Sequence, residues 1–203
     1  MSTANRADAL RRAVAQRNKA AILDAALIHL ERDPKASLVE IAKAARVSRP
    51  TLYAHFPTRE DLIEAALRRA LDQTLRDLAA ADVDEGNAAE ALERLITAGW
   101  RSLARNLAIA RLALDGLPPE RLRQTHAPAL EPVRKLIDRG RRTGEFRNDQ
   151  PAEWMVTVLY ALLHAGADEV ASGRIDERSA PRLVHASALA ALQPHNHARS
   201  ANA

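Results

Sequence analysis

Residues 37–56, SLVEIAKAARVSRPTLYAHF, read as two short helices joined by a tight turn. Ser37 and Glu40 have capping-box spacing: the serine oxygen takes an orphan amide and the glutamate reaches back to the serine amide. The first helix runs over residues 38–45 and buries Ile41 and Ala45. Arg46 and Val47 make the turn. Ser48 is a second N-cap, and Pro50 is tolerated just behind it because an amide there has no partner inside the helix. Val47 and Leu52 have hydrophobic-staple spacing. Leu52 and Phe56, one turn apart, point to a common core. Arg49, Pro50, Thr51, Tyr53 and His55 are then left at the surface or the rim, and so many large polar side chains on one short helix need a partner.

Working outward, an apolar stripe of Ile22, Leu23, Ala26, Leu27 and Leu30 gives a preceding helix over residues 17–31, or from somewhat earlier. It stops before Asp33-Pro34, because the residue before a proline is pushed out of the helical region. Pro57 closes the 48–56 helix, and Thr58 caps the next, residues 59–80, on Leu62, Ile63, Ala66 and Leu71. The acidic stretch DVDEGN, residues 82–87, breaks the pattern. Helices follow over residues 88–105, 108–117 and 120–142, the last opened by Pro118-Pro119, open to interruption at Pro128 and Pro132, and capped by Gly144. Two more cover 151–172 and 179–192. The tail, 194–203, is small and polar and is expected to be disordered. No stretch alternates with period two and no internal repeat occurs, so the fold class is all-α. Four segments result: a basic extension (1–16), a helix-turn-helix domain (17–77), a second helical domain (78–193) and the tail.

A chain of 203 residues without cysteine, 47% hydrophobic, is long enough for a buried core and has no thiol chemistry. The N-terminus has no apolar core of a secretory signal. The longest apolar run, residues 155–167, is shorter than a membrane span and contains His164. A cytoplasmic protein with no membrane partner is expected. Charge is unevenly placed. Residues 1–60 hold eleven Lys/Arg against six Asp/Glu, and the remainder nineteen against twenty. A basic lobe fits a polyanion partner, although a solvated basic face has the same composition.

A helix that opens on Ser48 presents free amides and a positive dipole end, which suits phosphate. Tyrosine, threonine and histidine hydrogen-bond phosphate oxygens, and arginine reaches a guanine edge with two donors. Double-stranded DNA is the partner these residues fit, with the second motif helix in the major groove and the first across its edge. The residues alone also allow a plain helical corner with a partly buried tyrosine. Residues 37–67 resemble the N-terminal domain of the TetR family of transcriptional regulators. The likeness lies in Ile41-Ala42 on a serine-capped helix, Val47-Ser48 before the recognition helix, the run Thr51-Leu52-Tyr53-Ala54-His55-Phe56, and Thr58-Arg59-Glu60 after it. The resemblance implies that Thr51, Tyr53, His55 and Arg59 hold phosphates and that Arg49 and Pro50 face bases. Ser48, Lys43 and Arg46 complete the expected DNA-binding set. Where the family usually has glycine, this chain has Arg46. The left-handed backbone such a turn needs costs a non-glycine residue on the order of 1 kcal/mol. Either that cost is tolerated or the turn relaxes, or the arginine is kept for a backbone phosphate. Arg11, Arg12 and Arg17, upstream of the stripe, are either a phosphate rail or a solvated extension.

For the second domain the resemblance implies, in outline, a ligand cavity and a dimer made by the last two helices. The residues add some support. The 151–172 helix is apolar on nearly every side, and such a helix must be covered on several sides. Leu159, Leu162, Leu163, Leu183 and Ser187 are the candidate interface of a homodimer; a central core helix is the plainer alternative. Trp100, Leu103, Leu107, His126, Trp154, Tyr160 and His164 are the larger residues available to line a site for an apolar or amphipathic effector, though tryptophans in bundles also serve simply as core. No cofactor is expected. His195 and His197 lie in the loose tail, and His126, His164 and His185 have no ligand spacing, so no metal site is expected. No catalytic constellation stands out, which leaves an all-helical enzyme without a reaction. The reading is a homodimeric, ligand-released repressor of a palindromic operator; the alternative is a ligand-independent DNA-organising protein.

Overall fold

The computed structural model describes residues 3–194, and those residues form eight helices and no strand. They are α1 (Thr3–Arg32), α2 (Leu38–Ala44), α3 (Arg49–His55), α4 (Arg59–Ala79), α5 (Ala88–Gly116), α6 (Pro119–Thr143), α7 (Ala152–Ala171) and α8 (Ala180–Leu192). The tail, apart from Pro194, and with it His195 and His197, lies outside the described residues.

Helix α1 starts at Thr3, not near Arg17. Between Thr3 and Arg32 there is neither glycine nor proline, and alanine, leucine, arginine and glutamine are strong helix formers. The expected break between residues 105 and 108 is a kink at Asn106 (φ −121°, ψ 16°) within one continuous α5. Helix α6, in contrast, runs through Pro128 and Pro132 uninterrupted. The carbonyls those prolines leave without a donor belong to Gln124 and Pro128, which are both exposed, so water can serve them. In α2 the buried residues are Ile41 and Ala42; Ala45 is the half-buried C-cap.

The chain forms two compact units. The first comprises the described residues up to Ala70 together with Asn106–Thr125. In it α1 packs against α2 and α3, and α2 against α3. Ile22, Ala26, Leu30, Ile41, Leu52 and Phe56 are its buried centre. The later segment is tied in by charge: Arg121 donates to Glu64 (2.7 Å) and to Asp61 (3.0 Å) near the start of α4. Asp61 already caps α4 through Thr58, and the Thr58 hydroxyl, then Arg121, holds its carboxyl below the usual range.

The second unit comprises Leu71–Arg105 and the described residues from His126 onward. Helices α7 and α8 pack closely on each other. Gly166 permits this, since a Cβ there would sit 2.8 Å from Val184 and 3.1 Å from Trp100. The acidic corner before α5 is built rather than loose. Arg94 donates to the carbonyls of Ala81, Asp82 and Glu85, and Glu145 accepts the Ala88 amide at 2.6 Å. No described helix is long and apolar enough to cross a membrane.

Candidate nucleic-acid interface and effector site

Both motif helices start on serine caps. The Ser37 oxygen accepts from the Glu40 amide at 3.2 Å, and Glu40 accepts from the Ser37 amide at 2.7 Å. The Ser37 amide, and then the Ser37 hydroxyl that also donates to the carboxylate at 2.7 Å, hold the Glu40 carboxyl below its usual range, so the charge it carries is committed to the cap. From Ile41 to Arg59 the chain contains no acid at all, while Lys43, Arg46, Arg49 and Arg59 are all basic.

Helix α3 presents two faces. Leu52 and the following Phe56 are 0% and 3% exposed. Arg49, Pro50 and Tyr53 are exposed, as are Ser48, Lys43 and Arg46, while Thr51 and His55 are half-buried. The Ser48 oxygen accepts from the Thr51 amide at 3.2 Å and lies 2.7 Å from the Thr51 hydroxyl. The cap therefore fixes both side chains at the mouth of the helix. The Arg49 guanidinium lies over the Tyr53 ring, 5.5 Å from its centroid, a cation–π contact that orients both outward groups.

The turn does not relax around Arg46. Its φ is +55°, the left-handed conformation that glycine adopts at least cost. Two backbone bonds hold it there: the Arg46 amide donates to Lys43 and the Val47 amide to Ala42. Arg59 has work of its own inside the unit. Its guanidinium donates to the carbonyls of Pro34 and Ala36, both at 2.5 Å, closing the α1–α2 loop onto the start of α4.

Of the expected effector residues, three meet in the second unit. The Tyr160 hydroxyl lies 3.4 Å from Nε2 of His126, the two rings meeting edge to face. The Tyr160 and His164 rings lie 4.0 Å apart. Nδ1 of His164 donates to the Tyr160 carbonyl at 3.0 Å, which fixes the tautomer when the ring is neutral. Burial pushes the His164 pKa down from 6.5 and that of Tyr160 up from 10.0. Trp100 is buried against Gly166 in the same unit, and Leu103 is half-buried. Trp154 is 54% exposed and lines no interior site, and Leu107 belongs to the first unit.

The expected interface residues also separate. Leu159 is buried inside the single chain at 1% exposure; Leu162 and Leu163 are half-buried; Leu183 and Ser187 are exposed. Trp154, Ala161 and Ala165 on α7, with Leu183, Ala186 and Ala190 on α8, form exposed apolar stripes of helical spacing. Trp154 was thus assigned inward by its size, although its place three and seven residues before Thr157 and Ala161 put it on the outer face. Nothing in the sequence marked the Arg121 ion cluster, whose partners are 57 and 60 residues away. A groove of about 490 Å³ between α4 and α5, with Arg101 and Arg105 on its wall, was equally invisible. Among the described residues no three His, Cys, Asp or Glu side chains are grouped to hold a metal ion.

Residues 22–66 match the model of the family described as bacterial regulatory proteins, tetR family. An uncharacterized HTH-type transcriptional regulator of Mycobacterium tuberculosis is 34% identical over 184 residues, which is 86% of this chain and 89% of that protein. The HTH-type transcriptional repressor LfrR of Mycolicibacterium smegmatis is 29% identical over 161 residues, 78% of this chain and 82% of LfrR. The crystal structure of LfrR in complex with proflavine superposes with a TM-score of 0.68 at 26% identity, covering 87% of this chain and 97% of that one.

Proposed function

Since the chain belongs to the TetR family of transcriptional regulators, we propose that it is a homodimeric repressor that leaves a palindromic operator when a small molecule binds. The observation that carries the DNA-binding part is α3 itself: a serine-capped helix with Leu52 buried and with Arg49, Pro50 and Tyr53 exposed in an acid-free stretch. In this reading α3 enters the major groove. Arg49 and Pro50 face base edges, and Thr51, Tyr53 and His55 hold phosphates. Ser48 fixes the mouth of the helix, while Lys43 and Arg46 lie toward the backbone. Arg59 acts mainly by closing the loop behind the motif.

Two copies are needed to read two half-sites, and the α7–α8 face supports that arrangement. Trp154, Leu183 and their alanine neighbours are exposed on the single chain, and small residues let a second pair of helices approach closely. The effector is apolar or amphipathic and flat enough to stack on the His126–Tyr160–His164 rings. The proflavine complex of LfrR supports a planar aromatic ligand. Such a ligand releases DNA only if it binds more tightly to the conformation with wrongly spaced DNA-binding heads.

Genome-wide footprinting of the protein with and without proflavine tests this reading. A few palindromic sites, vacated by a ligand, are expected. Broad coverage with no sequence preference and no ligand effect would make it a DNA-organising protein instead.

A further inference from the structure

We propose that the first half of α1 is a second DNA-contacting element, a basic overhang that grips phosphates beside the half-site read by α3; this rests on the DNA-binding reading above. Helix α1 extends about 28 Å beyond Ile22, the first residue of its buried stripe, at 1.5 Å per residue. Every residue from Asn5 to Val14 is exposed. Short helices that bury nothing are marginal in water, so this length of helix earns little stability from the core. Its charge is one-sided: residues 5–19 hold five Lys/Arg and one acid, Asp8. Asp8 pairs with Arg11 at 3.1 Å. Among the described residues no acid pairs with Arg6, Arg12, Arg17 or Lys19.

Direction matters as much as charge. The face of α1 that buries Ile22, Ala26 and Leu30 is the one against which α2 and α3 pack. Stepping back from Ala26 by about two helical turns reaches Lys19, and by two more reaches Arg12. The stripe that is core at one end of α1 is therefore basic at the other, on the side of the helix where the motif sits. Arg6 and Arg17, about three turns apart, form a second row more than a third of the way round the helix from the first. The exposed Leu10 lies within the second row, between Arg6 and Arg17, with Val14 beside it, and two apolar side chains are too few to cover a lipid surface or a groove.

The full-length triple variant Arg6→Ala/Arg12→Ala/Arg17→Ala tests the proposal, with Arg→Lys at the same positions as the charge control. Alanine raises helix propensity, so folding is not at risk. The probe is a fluorescent duplex of arbitrary sequence, because phosphate contacts are sequence-independent. Binding is measured across a salt series. We expect about tenfold weaker binding at low salt and a log–log salt slope shallower by at least about two, with the lysine variant near wild type. An unchanged slope and affinity in the alanine variant overturns the proposal and leaves the role of α3 intact. A changed sedimentation coefficient with an unchanged slope also overturns it, and assigns the overhang to a protein contact. If the wild-type chain binds no duplex at any salt, the DNA-binding reading fails and this inference fails with it.

Discussion

Arg49 lies over the ring of Tyr53, one turn further along α3, with 5.5 Å between the guanidinium carbon and the ring centroid. The stack holds the arginine extended before any DNA arrives, so part of the ordering cost of binding is already met. Tyr53→Phe keeps the ring and removes only the hydroxyl. Affinity should fall by about 1 kcal/mol on specific and nonspecific DNA alike, with thermal stability unchanged. Tyr53→Ala should lose more on the operator than on random DNA, because Arg49 is then unsupported. Equal losses for the two variants would remove the stack from the account.

Arg49→Ala has a different signature. A base-reading arginine should cost about 1–3 kcal/mol on the operator and relax specificity at one position of each half-site. Selection of bound sequences from a random pool measures this directly. A uniform loss over all sequences would make Arg49 a phosphate clamp.

Arg46 holds a left-handed backbone at φ +55°. Arg46→Gly should therefore stabilise the protein by about 0.5–1 kcal/mol, visible as a melting temperature higher by a few degrees. If the arginine is merely tolerated, the salt slope of DNA binding stays as it was. A slope shallower by about one would show that its charge is kept for a phosphate.

The motif was legible because its information is local. Two serine caps, a proline behind one of them, and Leu52 and Phe56 one turn apart fix α2 and α3 within a few residues of chain. What escaped depends on distance. Arg59 matches a phosphate-holding position of the family, yet its guanidinium meets the carbonyls of Pro34 and Ala36, about two dozen residues back in the chain. Periodicity showed that α7 is apolar nearly all round but did not say which side is core, so Leu159 and Trp154 were assigned to the wrong faces. Proline is a local breaker signal too, and it left an interruption of α6 open that the structure closes, the residues whose carbonyls lose a donor being exposed.

His164 gives the second unit a pH dependence with a definite sign. Burial lowers its pKa from 6.5, the nearby His126 adds to the lowering, and the Tyr160 carbonyl and Asp168 oppose it. Stability from the neutral ring is complete above pH 6.5. It is lost as pH falls below that value, where the unfolded chain binds a proton and the folded chain does not. Urea midpoints at pH 7.5 and 5.5 should differ more for wild type than for His164→Gln. Glu145, whose carboxyl the Thr143 hydroxyl holds low, contributes only at more acid pH, below 4.5. Equal midpoint shifts in both proteins would show that His164 is freely solvated.

Leu159 and Leu183 carry opposite expectations for the same substitution. Leu159 is 1% exposed inside one chain, whereas Leu183 is 45% exposed on the outer face of α8. Leu159→Glu should unfold the second unit, because an unpaired charge buried in a core costs several kcal/mol. Leu183→Glu meets water in the single chain, so folding should survive. In a dimer built on the α7–α8 face the same carboxylate is buried against a second copy, and the dimer should split. Sedimentation velocity should report a monomer, circular dichroism an unchanged helix content, and binding to a palindromic site a large loss as the second head is removed. Ala161→Glu, on the exposed stripe of α7, should behave like Leu183→Glu. A dimer that survives both substitutions would place the contact on another surface of the chain.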